Sequence, residues 1–183
     1  MKAIFAAACA ATLLLATPAL AALKAGDKAP EFKANGYLAG QPFSFDLNAA
    51  LRKGPVVLYF FPAVHTGGCN LEAHLFADAI DRFKAQGATV VGVTAGKLGE
   101  LQVFSNETQY CSGKFPVTAD PDRAIATQYD SLLNMPGMNV SNRTSYVITP
   151  DHAVLYAYSD LKADQHVTNT LDALTKWRAA HPH

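Results

Sequence analysis

The chain has 183 residues, half of them hydrophobic and 16% charged, with Lys+Arg and Asp+Glu both at 15. At roughly 150 residues per domain this is material for one buried core, and high hydrophobicity with no net charge excludes a disordered chain. The zero formal charge also gives no long-range field for polyanions, so nucleic acid is not an expected partner. Three cysteines are too few for a disulfide scaffold or a metal finger.

The opening residues, MKAIFAAACAATLLLATPALA, hold one charge at Lys2, an apolar stretch to about Ala16, a break at Pro18, and Ala19-Leu20-Ala21. That is the charged, apolar and small-residue order of a secretory signal peptide, predicted over residues 1–21 with cleavage after Ala21. The apolar run is shorter than the roughly 20 residues that a membrane span requires. The sequence therefore predicts an exported protein, periplasmic or secreted, with a single domain over residues 22–183 and no membrane attachment after signal removal. Cys9 leaves with the signal, so Cys69 and Cys111 are the mature thiols. In an oxidising compartment such a pair is either a static disulfide or a redox couple.

Residues 43–47 predict a short strand and residues 48–52 a helical turn. After Lys53-Gly54-Pro55, residues 56–61 (VVLYFF) are an unbroken β-branched and aromatic run, suited to a strand buried on both faces. Leu71, Leu75, Phe76, Ala79, Ile80 and Phe83 then recur at helical spacing, with Gly87 as the stop. Residues 88–94 (ATVVGVT) predict a second buried strand, and Leu98, Leu101 and Phe104 a second helix. Residues 115–118 predict a short strand and 121–129 a short helix with Pro near its start. Residues 133–142 read as a loop. Residues 143–149 and 153–159, joined by Pro150-Asp151, predict an antiparallel pair, and Val167, Leu171, Leu174 and Trp177 mark one face of a closing helix. Strands alternating with helices imply an α/β fold, a central mixed β-sheet flanked by helices, which a thioredoxin-like arrangement satisfies.

Cys69 falls where the loop after the first buried strand turns into a helix. The first N–H groups of a helix lack intrahelical partners and carry partial positive charge, which favours a thiolate. Gly67 and Gly68 leave the backbone amides open to a small substrate. An isolated cysteine is more often a buried small hydrophobe; its place at a helix start after two glycines points the other way.

Residues 59–72 read YFFPAVHTGGCNLE, which contains P-x-x-x-T-x-x-C with a glutamate three residues beyond the cysteine. Together with Arg143 opening a later strand, this segment resembles the active site of peroxiredoxins, the alkyl hydroperoxide reductase / thiol-specific antioxidant family. The resemblance runs from Gly26-Asp27-Lys28-Ala29-Pro30-Glu31-Phe32 to about Tyr158. It implies that Cys69 attacks peroxide as a thiolate, that Thr66 hydrogen-bonds thiolate and peroxide, and that Arg143 holds the thiolate and the departing oxygen. Pro62 would shield the pocket and Glu72 would orient the arginine. It implies no metal, flavin or nucleotide cofactor, a hydroperoxide substrate, and a thioredoxin-like or glutaredoxin-like reductant acting on a monomer or homodimer.

The resemblance is nearest the Q-type branch, where a second cysteine commonly stands five residues after the first. His74 occupies that place here. Cys111 is similar to the resolving cysteine that some relatives carry on a later helix, and would form an intramolecular disulfide with Cys69. Taken singly, Pro62 is ordinary strand punctuation, Thr66 a helix cap, Glu72 a first-turn acid, and Arg143 a surface cation. Two other readings remain. An exported thiol-disulfide oxidoreductase predicts C-x-x-C, whereas Asn70-Leu71-Glu72 follows Cys69. A copper-binding module would use His65, Cys69 and His74, but His74 lies about 140° round a helix from Cys69, poorly placed for one metal.

Overall fold

In the computed structural model, which describes residues 22–135 and 137–182, a hairpin of β1 (Lys33–Leu38) and β2 (Gln41–Asp46) runs into the short helix α1 (Leu47–Leu51). The expected secretory segment, 1–21, lies outside the described residues. Next come β3 (Val56–Phe60), α2 (Gly67–Ala85), β4 (Thr89–Thr94), a 3-10 turn at Leu98–Glu100, α3 (Leu101–Asn106) and β5 (Val117–Ala119). The chain closes with α4 (Ala124–Gln128), a hairpin of β6 (Leu132–Met135) and β7 (Met138–Ser141), then β8 (Thr144–Ile148), β9 (Val154–Ser159) and α5 (Asp164–Ala180).

Among the described residues the main sheet runs β2-β1-β5-β4-β3-β8-β9. β3 pairs in parallel with β4 and β4 with β5, while β8 joins β3 antiparallel, so the sheet is mixed. The run after Pro55 is central because every residue of β3 is buried. Its alternate side chains feed two cores. Val57, Tyr59 and the following Phe61 meet α2, α3 and α5 on one side, with Phe76, Phe83, Phe104, Leu171 and Leu174. Val56, Leu58 and Phe60 meet α1 and α4 on the other, with Leu47, Leu51 and Ile125. Each such fully buried side chain removes enough apolar surface to contribute about 1.5–3 kcal/mol before entropy is charged against it. Among the described residues no helix is long and apolar enough to cross a membrane.

Several expectations shift. The strand expected at 43–47 is β2, and Leu47 instead opens α1, because the Asp46 side chain caps that helix by accepting from the Ala49 N–H at 3.0 Å. Residues 33–38 carried no strand signal, and Gly36 explains why. A Cβ there would sit 1.9 Å from the Val117 carbonyl oxygen, so close pairing with β5 requires the glycine and removes the apolar mark. The helix expected at 121–129 begins later, at Ala124, where the buried Asp120 carboxylate accepts from the Ile125 and Ala126 N–H groups. The loop expected at 133–142 is largely the β6–β7 hairpin, outside the main sheet. Finally, the buried face of α2 is Cys69, Glu72, Ala73, Phe76, Ile80 and Phe83, while Leu71 points outward. A cysteine and a glutamate occupy the N-terminal end of an otherwise apolar stripe.

Candidate active site

The register of the sheet builds the site. Phe60 pairs with Thr144, so Arg143 lies beside the point where the chain leaves β3 and turns into α2. Cys69 is the third residue of α2, within the turn whose N–H groups have no intrahelical acceptor. Its sulfur is buried, at 1% residue exposure, yet the four residues before it, His65 to Gly68, are exposed. His65 takes a left-handed backbone conformation, φ 57°, a strained choice for a non-glycine residue. Its ring meets Phe104 and Tyr110 edge-on at 5.7 and 5.5 Å, tying the loop to the segment that carries Cys111.

Arg143 Nη2 donates to Cys69 Sγ at 3.4 Å, Nη1 donates to Glu72 Oε2, and Nε donates to the Leu161 carbonyl at 2.9 Å. Arg143 is 4% exposed and Glu72 is fully buried. Burial works against the Arg143 charge, but Glu72 and Cys69 outweigh it and hold the guanidinium above its ordinary value. Burial pushes the Glu72 carboxyl up to about 8, opposed by the Arg143 charge and hydrogen bond. Gly68 makes room for this contact, because a Cβ there would stand 3.0 Å from Arg143 Nη2. A rigid, permanently charged fork thus links a sulfur to a carboxyl, and can stabilise charge appearing at either.

Thr66 and Pro62 sit differently. Thr66 is the N-cap position of α2, but its exposed hydroxyl donates to the Ala63 carbonyl at 3.2 Å rather than to the sulfur. Pro62 is half-buried, and its carbonyl accepts from Thr94 at 3.4 Å. Both flank the sulfur's loop. The His74 ring lies 3.4 Å from the Asp78 carboxylate, one turn along α2 and partly exposed. Among the described residues no three His, Cys, Asp or Glu side chains gather as a metal site.

Cys111 is fully buried and, like Cys69, is a free thiol. The expected helical setting is corrected here. Cys111 lies on hydrogen-bonded turns after α3, where Ser112 N–H reaches Glu107 and Gly113 N–H reaches Ser105, because Ser112 and Gly113 both adopt positive φ. Burial alone pushes its thiol up. Tyr59 is stacked on Phe76 at 4.5 Å, its buried hydroxyl without a hydrogen-bond partner and pushed up by burial and by Cys111, Glu72 and Cys69.

His166, from the first turn of α5, was not singled out in the sequence. It is fully buried, with Nδ1 2.8 Å from Ser145 Oγ, Nε2 2.8 Å from the Asp160 carbonyl, and Nδ1 3.5 Å from Glu72 Oε1. Its neighbour Val167 marked the helix face, but nothing local tied a histidine there to Glu72 on another helix.

Residues 25–157 match the AhpC/TSA family. A putative peroxiredoxin of Mycobacterium tuberculosis (strain CDC 1551 / Oshkosh) is 32% identical over 152 residues, covering 79% of this chain and 90% of the relative. A chloroplastic peroxiredoxin Q of Oryza sativa subsp. japonica is 27% identical over 121 residues, covering 66% of this chain and 54% of its own. Among solved structures, peroxidoxin BcpB from Mycobacterium tuberculosis superposes with a TM-score of 0.73 at 29% identity, covering 84% of this chain and 97% of that one. A reduced 2-Cys peroxiredoxin of Plasmodium vivax reaches 0.76 at 19% identity, over 88% and 100% of the two chains, a likeness of fold alone. The α/β arrangement is thioredoxin-like.

Proposed function

This chain belongs to the AhpC/TSA family and is a peroxiredoxin, a thiol-dependent peroxidase, and from that premise we propose how its own residues carry the reaction. The observation that supports it best is Arg143 Nη2 at 3.4 Å from a sulfur held at the N-terminus of α2. Cys69 reacts as the thiolate. Its sulfur lone pair attacks the nearer peroxide oxygen, the O–O bond breaks, and the departing oxygen leaves with the bonding pair. Cys69 is oxidised to the sulfenic acid. The departing alkoxide or hydroxide takes a proton and leaves as alcohol or water. Arg143 supports the charge as it moves from sulfur to oxygen, and the open amides beside Gly67 and Gly68 offer further donors.

In the second step the Cys111 thiol attacks the sulfenic sulfur, a disulfide forms, and water leaves. Both sulfurs are buried as free thiols, a disulfide needs α-carbons within about 7 Å, and opening of the first turn of α2 with its His65 loop brings Cys69 to Cys111. A thioredoxin-like or glutaredoxin-like dithiol then restores both thiols. Thr66 moves its hydroxyl from Ala63 to the peroxide when substrate enters, and Pro62 shields the sulfur. Residues 1–21 direct export and are removed after Ala21, which N-terminal sequencing of the protein recovered outside the cytoplasm tests.

The deciding experiment mixes reduced mature protein with one equivalent of hydrogen peroxide and follows the intact mass. Loss of two hydrogens within minutes is the expected result for a Cys69–Cys111 disulfide, whereas gain of one oxygen means a one-cysteine cycle. No change overturns the peroxidase assignment. Cys69→Ser abolishes the response, and Cys111→Ser stops it at the sulfenic acid, trapped by a dimedone adduct.

A further inference from the structure

The turns that carry Cys111 and the loop that delivers Cys69 are fastened unequally. Cys111 is fully buried, in the core that also holds Phe104 and Phe115. Its turns are tied by backbone bonds, Ser112 N–H to the Glu107 carbonyl at 3.0 Å and Gly113 N–H to the Ser105 carbonyl at 2.9 Å. Lys114 adds a tether to α2, donating from Nζ to the Ala77 carbonyl at 3.0 Å. The Cys69 loop is looser. Val64 roots its base in the core, but residues 65–68 are exposed. Thr66 bonds locally, through its hydroxyl to the Ala63 carbonyl at 3.2 Å and through its carbonyl to the Asn70 N–H at 2.8 Å. A Cβ at Gly67 would meet nothing within 4 Å, so no neighbour packs there.

The His65 ring bridges the two segments. It meets Phe104 of α3 edge-on, ring centres 5.7 Å apart, and Tyr110, the residue before Cys111, at 5.5 Å. Phe104 and Tyr110 are themselves stacked at 5.0 Å, so the imidazole sits against a ready-made aromatic pair. Edge-to-face rings at such separations attract beyond the area they bury. The His65 backbone works against them, because its φ of 57° lies in the left-handed region, which a side chain adopts at a cost. A costly conformation persists where its surroundings hold it, and the aromatic pair supplies that hold.

We propose that the His65 ring is a latch: it keeps Cys69 beside Arg143 while peroxide reacts, and its release sets how fast the sulfenic acid reaches Cys111. His65 is a positioning residue for the second step. This latch presupposes Cys69 as the attacking sulfur and Cys111 as its partner, as proposed above. In that step the Cys111 sulfur bonds to the Cys69 sulfur and the S–O bond breaks. The oxygen leaves as water, with the hydrogens of the thiol and of the sulfenic acid. The side that moves is the loosely tied one, and moving it parts the His65 ring from Phe104 and Tyr110. A sulfenic acid held longer meets more peroxide and goes on to the sulfinic acid.

The test follows two variants and their combination. His65→Asn removes the ring but keeps a residue that tolerates positive φ, and Tyr110→Leu removes a partner ring from the other side. Each reduced protein is mixed with one equivalent of hydrogen peroxide and quenched with dimedone over time. Intact masses separate the sulfenic adduct from the disulfide. The sulfenic acid is expected to disappear about fivefold faster in either variant, the scale of one aromatic contact, and no faster again in the double variant. Under excess peroxide the variants gain less sulfinic acid than the wild type. Hydrogen exchange of the Asn70 amide, bonded to the Thr66 carbonyl, reports release without any peroxide. It should quicken about fivefold in His65→Asn, with β3 amides unaltered to show that the fold is kept. Unaltered Asn70 exchange, a sulfenic lifetime equal to or longer than the wild type's, or effects that add in the double variant overturn the latch. A wild type that halts at the sulfenic acid overturns its role in the second step. Quickened exchange in a protein that consumes no peroxide upholds the latch on Cys69 and sinks the peroxidase reading instead.

Discussion

The two thiols are chemically identical side chains in opposite surroundings. Cys69 opens a helix, touches a guanidinium, and is reached through an exposed loop. Cys111 lies in turns packed among Phe104, Phe115 and neighbouring apolar groups, with burial alone pushing its thiol up. Burial by itself therefore does not distinguish the two cysteines, since both are nearly inaccessible. The difference is the electropositive partner, which only Cys69 has among the described residues.

Removing that partner tests the contrast hardest. Arg143→Gln is expected to cut the iodoacetamide labelling rate of Cys69 by about 100-fold at neutral pH, the scale of losing one preorganised charge donor. Cys111 labelling, followed on its own peptide by mass spectrometry, should stay as it was. Equal losses at both sulfurs would mean that the substitution loosened the fold and that Arg143 does not define the contrast.

The buried carboxyl gives the next largest effect. Glu72 has an ordinary value of 4.5 and about 8 in the fold, so between these it keeps a proton that the unfolded chain has released, and stability falls as pH rises. His166, at 6.5 ordinarily and about 4 in the fold, works the other way, because the unfolded chain holds the extra proton and stability rises with pH. From 4.5 to 6.5 the two slopes cancel. From 6.5 to 8 Glu72 acts alone, and the unfolding free energy declines by up to about 1.4 kcal/mol per pH unit. Urea titrations should show that decline in the wild type and its absence in Glu72→Gln; a flat wild-type profile would place a charged Glu72 against Arg143 throughout.

The smallest change sharpens the geometry. In Gly68→Ala the new methyl would meet Arg143 Nη2 at 3.0 Å, displacing the guanidinium by a few tenths of an ångström. A fall of about threefold in Cys69 labelling is expected, within the range of weakened rather than lost charge-assisted contacts. Thermal unfolding should be nearly unchanged. No fall in labelling would show that the arginine–sulfur contact tolerates such displacement.

Much of this site was legible in one dimension. The buried strand, the loop, the glycine pair and the helix start place Cys69, Thr66, Pro62 and Glu72 within a short segment, where spacing decides position. Arg143, 74 residues away, was found through the resemblance and through its place at the start of a strand. His166 left no such mark, because a histidine beside an apolar helix position is usually just that.

The sequence alone determined the alternation of the central strands and helices, the two-faced burial of residues 56–60, and the helix start that carries Cys69, because these follow from periodicity and local backbone chemistry. It did not determine the β1 strand, whose apolar signal Gly36 removes to admit β5, or the outward turn of Leu71. Only the tertiary structure decided that Arg143 and His166 converge on opposite oxygens of one buried carboxyl. That convergence arises from sheet register and helix packing, long-range contacts that no local pattern encodes.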